Sequence, residues 1–220
     1  MPATALVLTA AAAWAASDAA VVAGLTYVRP TGERTEAFRL TADGTAVVDR
    51  RGERFVAQLP AAAVARLRER LSGEWLCGCD QAALDEDIRS AAPRYGLVLP
   101  VPHADRCELT LPGGTVASVG PGVLAARMPG VPAAADFERL RSQFEQLAAV
   151  VVLGGVFDSH AFLRAAAEAT GEPVRLSDLS YADSFGGERT AQFALPRGLV
   201  VVTSRGGEPP TARLLQTAAR

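Results

Sequence analysis

The 220-residue sequence contains no lysine: arginine supplies its positive charge, with 22 basic residues against 24 acidic ones. Schiff-base chemistry, a Walker-type phosphate-loop lysine and a Ser-Lys dyad are therefore excluded. The arginines are interleaved with carboxylates and the net charge is -2. No basic stripe exists to release counterions from a phosphate backbone, so a nucleic-acid partner is not expected. The patterns of a nucleophile elbow (G-x-S-x-G), a zincin (H-E-x-x-H), a P-loop and a dinucleotide fold (G-x-G-x-x-G) are all missing. The apolar run from Ala3 to about Ala16 is shorter than the roughly 20 residues that span a bilayer, so no transmembrane span is expected.

That run ends in small residues, Ala13-Trp14-Ala15, ahead of Ser17, and residues 1-17 read as a secretory signal peptide. No Lys or Arg precedes it, and an alanine-rich helix of a cytoplasmic protein is the alternative. A lipoprotein is not expected, because no cysteine sits near the junction. The expected location is the periplasm or the outside of the cell. There a disulfide is the usual fate of cysteine, and the chain has three, Cys77, Cys79 and Cys107. One bridge is expected between Cys107 and either Cys77 or Cys79. It would close a loop of about 30 residues, worth about 3 kcal/mol in the chain-entropy model.

Residues 40-71 carry the clearest local code. Asp43-Gly44 and Arg51-Gly52 supply the positive φ of tight hairpin turns, and Pro60 opens a helix with Val64, Leu67 and Leu71 on one stripe. A looser copy runs from Leu109 to Leu147, with Gly113-Gly114 at its turn and Pro132-Ala133-Ala134-Ala135 ahead of a helix marked by Phe137, Leu140, Phe144, Leu147 and Val151. Strands are also expected at Val21 to Arg29, Tyr95 to Val101, Pro173 to Leu176, Arg189 to Leu195 and Leu199 to Thr203. Gln81 to Ala92 reads as a short helix with Asp85, Glu86 and Asp87 outward, and residues 120-132 as an exposed loop. Asp158 is placed as the cap of a helix to Thr170, with Phe157 and Phe162 as its hydrophobic staple. The whole predicts an α+β protein of antiparallel meanders and hairpins, each covered by an amphipathic helix. Two repeat-like units occupy residues 20-150, a smaller helix-plus-hairpin unit 155-205, and a loosely held tail 206-220.

Candidate chemistry is sparse. No cofactor is expected; the alternative is a zinc-stabilised domain, for which Cys77, Cys79, His103 and Cys107 make an accepted Cys₃His set. Cys107, His103 and Asp105 could form a nucleophile pair with an orienting acid. An enzyme could also assemble a site from scattered carboxylates with His103 or His160. Asp158-Ser159-His160 suggests a triad, but the same residues suit a capped helix start with a surface histidine. Gly154-Gly155 before a helix could seat an anion.

The succession of hairpin, proline-started helix, tryptophan-bearing loop, hairpin and helix over about Leu25 to Leu147 resembles small exported bacterial domains with no assigned activity. Through Asp43-Gly44-Thr45, Leu59-Pro60, Leu67 and Trp75 it also resembles the small bacterial protein inhibitors of thermolysin-like metalloproteases. The stretch Thr190 to Thr203 resembles the hairpin before the zinc helix of membrane-associated metallopeptidases, but the H-E-x-x-H of that family does not follow. The expected function is that of an exported, non-enzymatic binding, accessory or inhibitor-like protein with a protein partner in the cell envelope or outside the cell.

Overall fold

The computed structural model describes residues 20-72, 80-97, 99, 104-120 and 126-216. The expected α+β class is what folds: two antiparallel sheets with helices packed on them. The first sheet has six strands in the order β4-β3-β2-β1-β5-β6, formed by β1 (Val21–Val28), β2 (Arg34–Thr41), β3 (Thr45–Arg50), β4 (Glu53–Gln58), β5 (Arg106–Leu111) and β6 (Gly114–Val119). Its helices are α1 (Ala61–Ser72), α2 (Gln81–Ala91) and α3 (Pro132–Val152). The second sheet, in the order β10-β9-β8-β7, follows α4 (Val156–Thr170) with β7 (Leu179–Phe185), β8 (Glu188–Leu195), β9 (Gly198–Arg205) and β10 (Thr211–Gln216).

Turn chemistry fixes the meander. Arg51 (φ +52°) and Gly52 (φ +79°) form a two-residue turn with positive φ at both positions, the type that matches strand twist. At the preceding turn the Asp43 carboxylate accepts from Thr45 N at 3.0 Å and from the Thr41 hydroxyl at 2.5 Å, so the aspartate locks the bend with its side chain. The two β/helix stretches of residues 20-150 share one sheet: β1 pairs with β5, aligning Gly24 with Thr110 and Tyr27 with Cys107.

The long helix α3 lies across β1 to β4, and its Phe137, Leu140, Phe144 and Val151 enter the core with Leu25, Phe38, Leu40 and Leu109. Phe38 and Phe144 have ring centroids 6.0 Å apart at 46°, a tilted contact worth about 1 kcal/mol beyond burial. At its far end α3 supplies Ala149, followed by Leu153, to a second core built by Phe162, Ala182, Phe193, Val200 and Val202. No single helix among the described residues is long and apolar enough to cross a membrane.

Several local expectations are corrected. Residues 92-95 form a 3-10 turn, because Pro93 continues the helical path of α2 and Gly96 stops it. Leu176–Asp178 is another such turn in place of a strand near Pro173. Met128 and Val131, expected in an exposed loop, are buried core residues. The stretch 211-216, expected to be loose, is β10, paired with β9 from Thr211 to Gln216, with Ala212 and Leu214 packed against the second core. Gly155, not Asp158, caps α4, and Phe157 stands 92% exposed with no staple to Phe162.

Candidate functional site

The ends of the two sheets face each other across a cleft of about 470 Å³. One wall is β4, through Arg54, Phe55 and Val56. The floor is Val151, Val152 and Gly154 where α3 ends. The opposite wall comes from the turns of the second sheet, through Ser184, Gly187, Arg189, Ser204, Gly206 and Gly207. Three of the four Gly-Gly dipeptides in the sequence, at 154, 186 and 206, thus reach one place. With no side chains there, the backbone itself forms the cleft surface at these points.

Among the described residues, Arg54 and Arg189 are the only charged ones lining this cleft. Arg189 Nη1 donates to the Leu153 carbonyl at 3.0 Å and to Asp158 Oδ2 at 2.5 Å, tying the end of α3 to the start of α4 and to β8. Gly154, at φ +100°, makes room for it: a Cβ there would lie 2.3 Å from Arg189 Nη1. Arg54 donates through Nε and Nη2 to the two Asp49 oxygens at 2.7 and 2.6 Å. That two-point contact holds the Asp49 carboxyl below its ordinary pKa and raises the guanidinium's. Each cleft arginine is therefore held in place by a carboxylate outside the lining.

Beside the cleft, the β3-β4 turn is bonded to β7. Arg50 donates to the Ala182 carbonyl, and Arg51 Nη1 lies 2.9 Å from Asp183 Oδ2. The Tyr181 hydroxyl donates to the same carboxylate at 2.6 Å, and that bond raises the phenol's pKa. The rim is apolar. Val56 is 62% exposed on β4, Phe185 is 72% exposed beside the tip of the β7-β8 hairpin, and Val156 and the exposed Phe157 follow Gly154-Gly155.

The sequence candidates fall elsewhere. Cys77, Cys79 and His103 lie outside the described residues. Cys107 is a free thiol at 0% exposure, so the expected bridge to it is not formed: its position on β5 turns the sulfur into the core, opposite Tyr27 and beneath α3. Burial pushes this thiol up to about 12, with nearby Glu138, Glu145 and Glu108 adding to the effect against Arg141, which removes the thiolate a nucleophile needs. The neighbouring polar groups are mutually occupied. Tyr27 donates to Glu145, while Arg141 donates to Glu145 at 2.6 Å and to Glu138 at 2.7 Å. Burial first, then the Glu145 carboxylate, raises the Tyr27 pKa. Among the described residues no group of three or more His, Cys, Asp and Glu side chains converges as a metal site.

Asp158, Ser159 and His160 do not make a triad. Asp158 holds Arg189, the Ser159 hydroxyl donates to the Val156 carbonyl at 2.8 Å, and His160 is exposed. Sequence reasoning singled out Gly154-Gly155 but not its partners, which are joined only by tertiary structure. The recurrence of Gly-Gly at strand turns was the available signal. Comparison with family models, curated proteins and solved structures finds no match.

Proposed function

We propose that this is an exported, non-enzymatic protein that works by binding another protein through the cleft end of the molecule. The supporting observation is the exposure of Val56 in the cleft lining and of Phe157 and Phe185 on the segments that carry the lining residues Gly154 and Ser184. Burying a phenylalanine side chain is worth about 1.5–3 kcal/mol, and phenyl groups grouped on a surface mark a site that a partner covers. The apolar Ala3 to Ala16 stretch supports export. Of the side chains that invited a catalytic reading, Asp158 is held by Arg189, the Ser159 hydroxyl by the Val156 carbonyl, and Cys107 is buried.

The test is site-specific photo-crosslinking in the producing cell, with the probe at Phe157 or Phe185 and a control at Arg164, exposed on α4. A discrete protein adduct at the first two positions, absent at the third, is expected. The isolated partner should then bind a Phe157→Ser, Phe185→Ser double variant at least about tenfold more weakly, the effect of losing 1.4 kcal/mol of contact. No adduct, or unchanged binding by the double variant, overturns the reading. Titration of thermolysin tests the inhibitor form of the proposal, which unchanged proteolysis would remove.

A further inference from the structure

We propose that the cleft receives the C-terminal end of an extended polypeptide, which pairs antiparallel with the free edge of β4 and places its terminal carboxylate between Arg54 and Arg189. This rests on the binding role proposed above and names the chemistry of the occupant.

The direction of the β4 backbone follows from its register. Leu59 N donates to Gly44 O at 2.8 Å, one step beyond the aligned pair Thr45 and Gln58. In an antiparallel ladder hydrogen-bonded pairs alternate with non-bonded ones. The bonded pairs are therefore Ala46 with Ala57, Val48 with Phe55 and Arg50 with Glu53, which turns the N–H and C=O of Val56 away from β3. Two other sheet edges, β6 and β7, carry side-chain plugs. On β6 the Gln81 amide accepts from Ala117 N at 2.7 Å and donates to Ala117 O at 3.1 Å, imitating a neighbouring strand. On β7 the guanidinium of Arg50 takes the Ala182 carbonyl. The middle of β4 presents Val56 to the cleft with no such plug among the described residues. Open edges of this kind accept an added strand.

Charge and closure select which part of a polypeptide enters. Among the described residues the lining carries two guanidinium groups and no carboxylate, together with the hydroxyls of Ser184 and Ser204 and glycine backbone. Nε and Nη2 of Arg189 have no protein partner among the described residues, leaving donors for an anion. Past Arg54 the β3-β4 turn is bonded to β7 through Arg50 and Arg51, which blocks a strand from running on. A chain therefore stops there. The two arginines repel an N-terminal ammonium and attract a terminal carboxylate, and a chain ending at Arg54 runs opposite to β4.

The experiment uses the full mature chain and a short fluorescein-labelled peptide of alternating threonine and valine, made as the free acid and as the C-terminal amide. Fluorescence polarisation should show the acid binding at least about tenfold more tightly than the amide, and hydrogen exchange at the Val56 amide should slow when the acid is bound. Arg189→Gln should abolish the acid preference. Val56→Pro, which deletes the outward N–H, should weaken the acid about tenfold or more, with circular dichroism confirming the fold. If Val56→Pro does not fold, the exchange measurement on the unaltered protein decides. Equal affinity for acid and amide, no binding up to millimolar peptide, or an unprotected Val56 amide overturns the proposal. Crosslinking at Phe157 that persists in such a case would leave the binding role intact and place the partner on the rim alone.

Discussion

Arg51 and Asp183 join the two sheets: the guanidinium at the β3-β4 turn lies 2.9 Å from a β7 carboxylate that is only 6% exposed. Asp183 also accepts from the Tyr181 hydroxyl and from Ser184 N, so the buried charge is shared among three donors. The arginine is itself largely exposed, which weakens the pair through solvent screening. Arg51→Asn keeps a residue tolerant of the turn's positive φ and removes the ion pair together with the 3.3 Å bond from Arg51 Nη2 to the Tyr181 hydroxyl. It should cost about 1 kcal/mol in denaturant unfolding, and a double-mutant cycle with Asp183→Asn should give a coupling of similar size. A coupling near zero would show that the contact does not hold the sheets.

Gln81 protects the far edge of the first sheet by bonding both backbone groups of Ala117. Gln81→Ala frees a donor and an acceptor at a strand edge. Stability should fall by about 1–2 kcal/mol, and static light scattering should show concentration-dependent association that the unaltered protein lacks. Unchanged scattering would mean that other parts of the chain cover that edge.

The buried thiol sets an alkaline limit. Below the ordinary thiol pKa of about 8.5 both folded and unfolded chains keep the proton, and Cys107 gives no pH dependence. Between there and about 12 the unfolded chain releases it while the native one holds it, so stability falls as pH rises. Tyr27, whose pKa is also raised, adds to the loss above about pH 10. Melting temperature followed from pH about 8.5 upward should therefore decline less steeply in Cys107→Ala than in the unaltered chain. Parallel profiles would contradict the assignment. Ellman's reagent should find Cys107 unreactive until the protein is unfolded.

Gly154→Ala places a methyl group where Arg189 and Asp158 meet, at a φ that L-residues adopt rarely. A loss of about 1–3 kcal/mol is expected from strain and the displaced ion pair. The substitution should also reduce binding of the free-acid peptide, whereas Gly32→Ala, between β1 and β2 with open space at its Cβ position, should leave binding unchanged.

The parts of the fold that were legible in the sequence are those written in neighbouring residues. Asp43-Gly44 and Arg51-Gly52 specify their turns directly, and Phe137, Leu140 and Phe144 mark the buried face of α3 by spacing alone. The pairing of β1 with β5 was not legible, because β-ladders between distant segments have no local signature. Asp158 has the residue type of a helix cap, yet Arg189, 31 positions away, claims its carboxylate, and the cap passes to Gly155. β10 was hidden by the Gly206-Gly207 break, beyond which Ala212 and Leu214 alternate inward over too few residues to stand out. The cleft is illegible for the same reason, since its two arginines stand 135 positions apart, Arg189 minus Arg54.

Because α3 gives Phe144 to one core and Ala149 to the other along a single uninterrupted helix, neither sheet can lose its packing without dragging on the same rod. Heating should therefore melt both halves in one step, and a chain cut after Val152 should yield a second sheet stripped of the helical end it leans on. The exposed side chains of Val56, Phe157 and Phe185 stand off this shared axle, so they can change without loosening it.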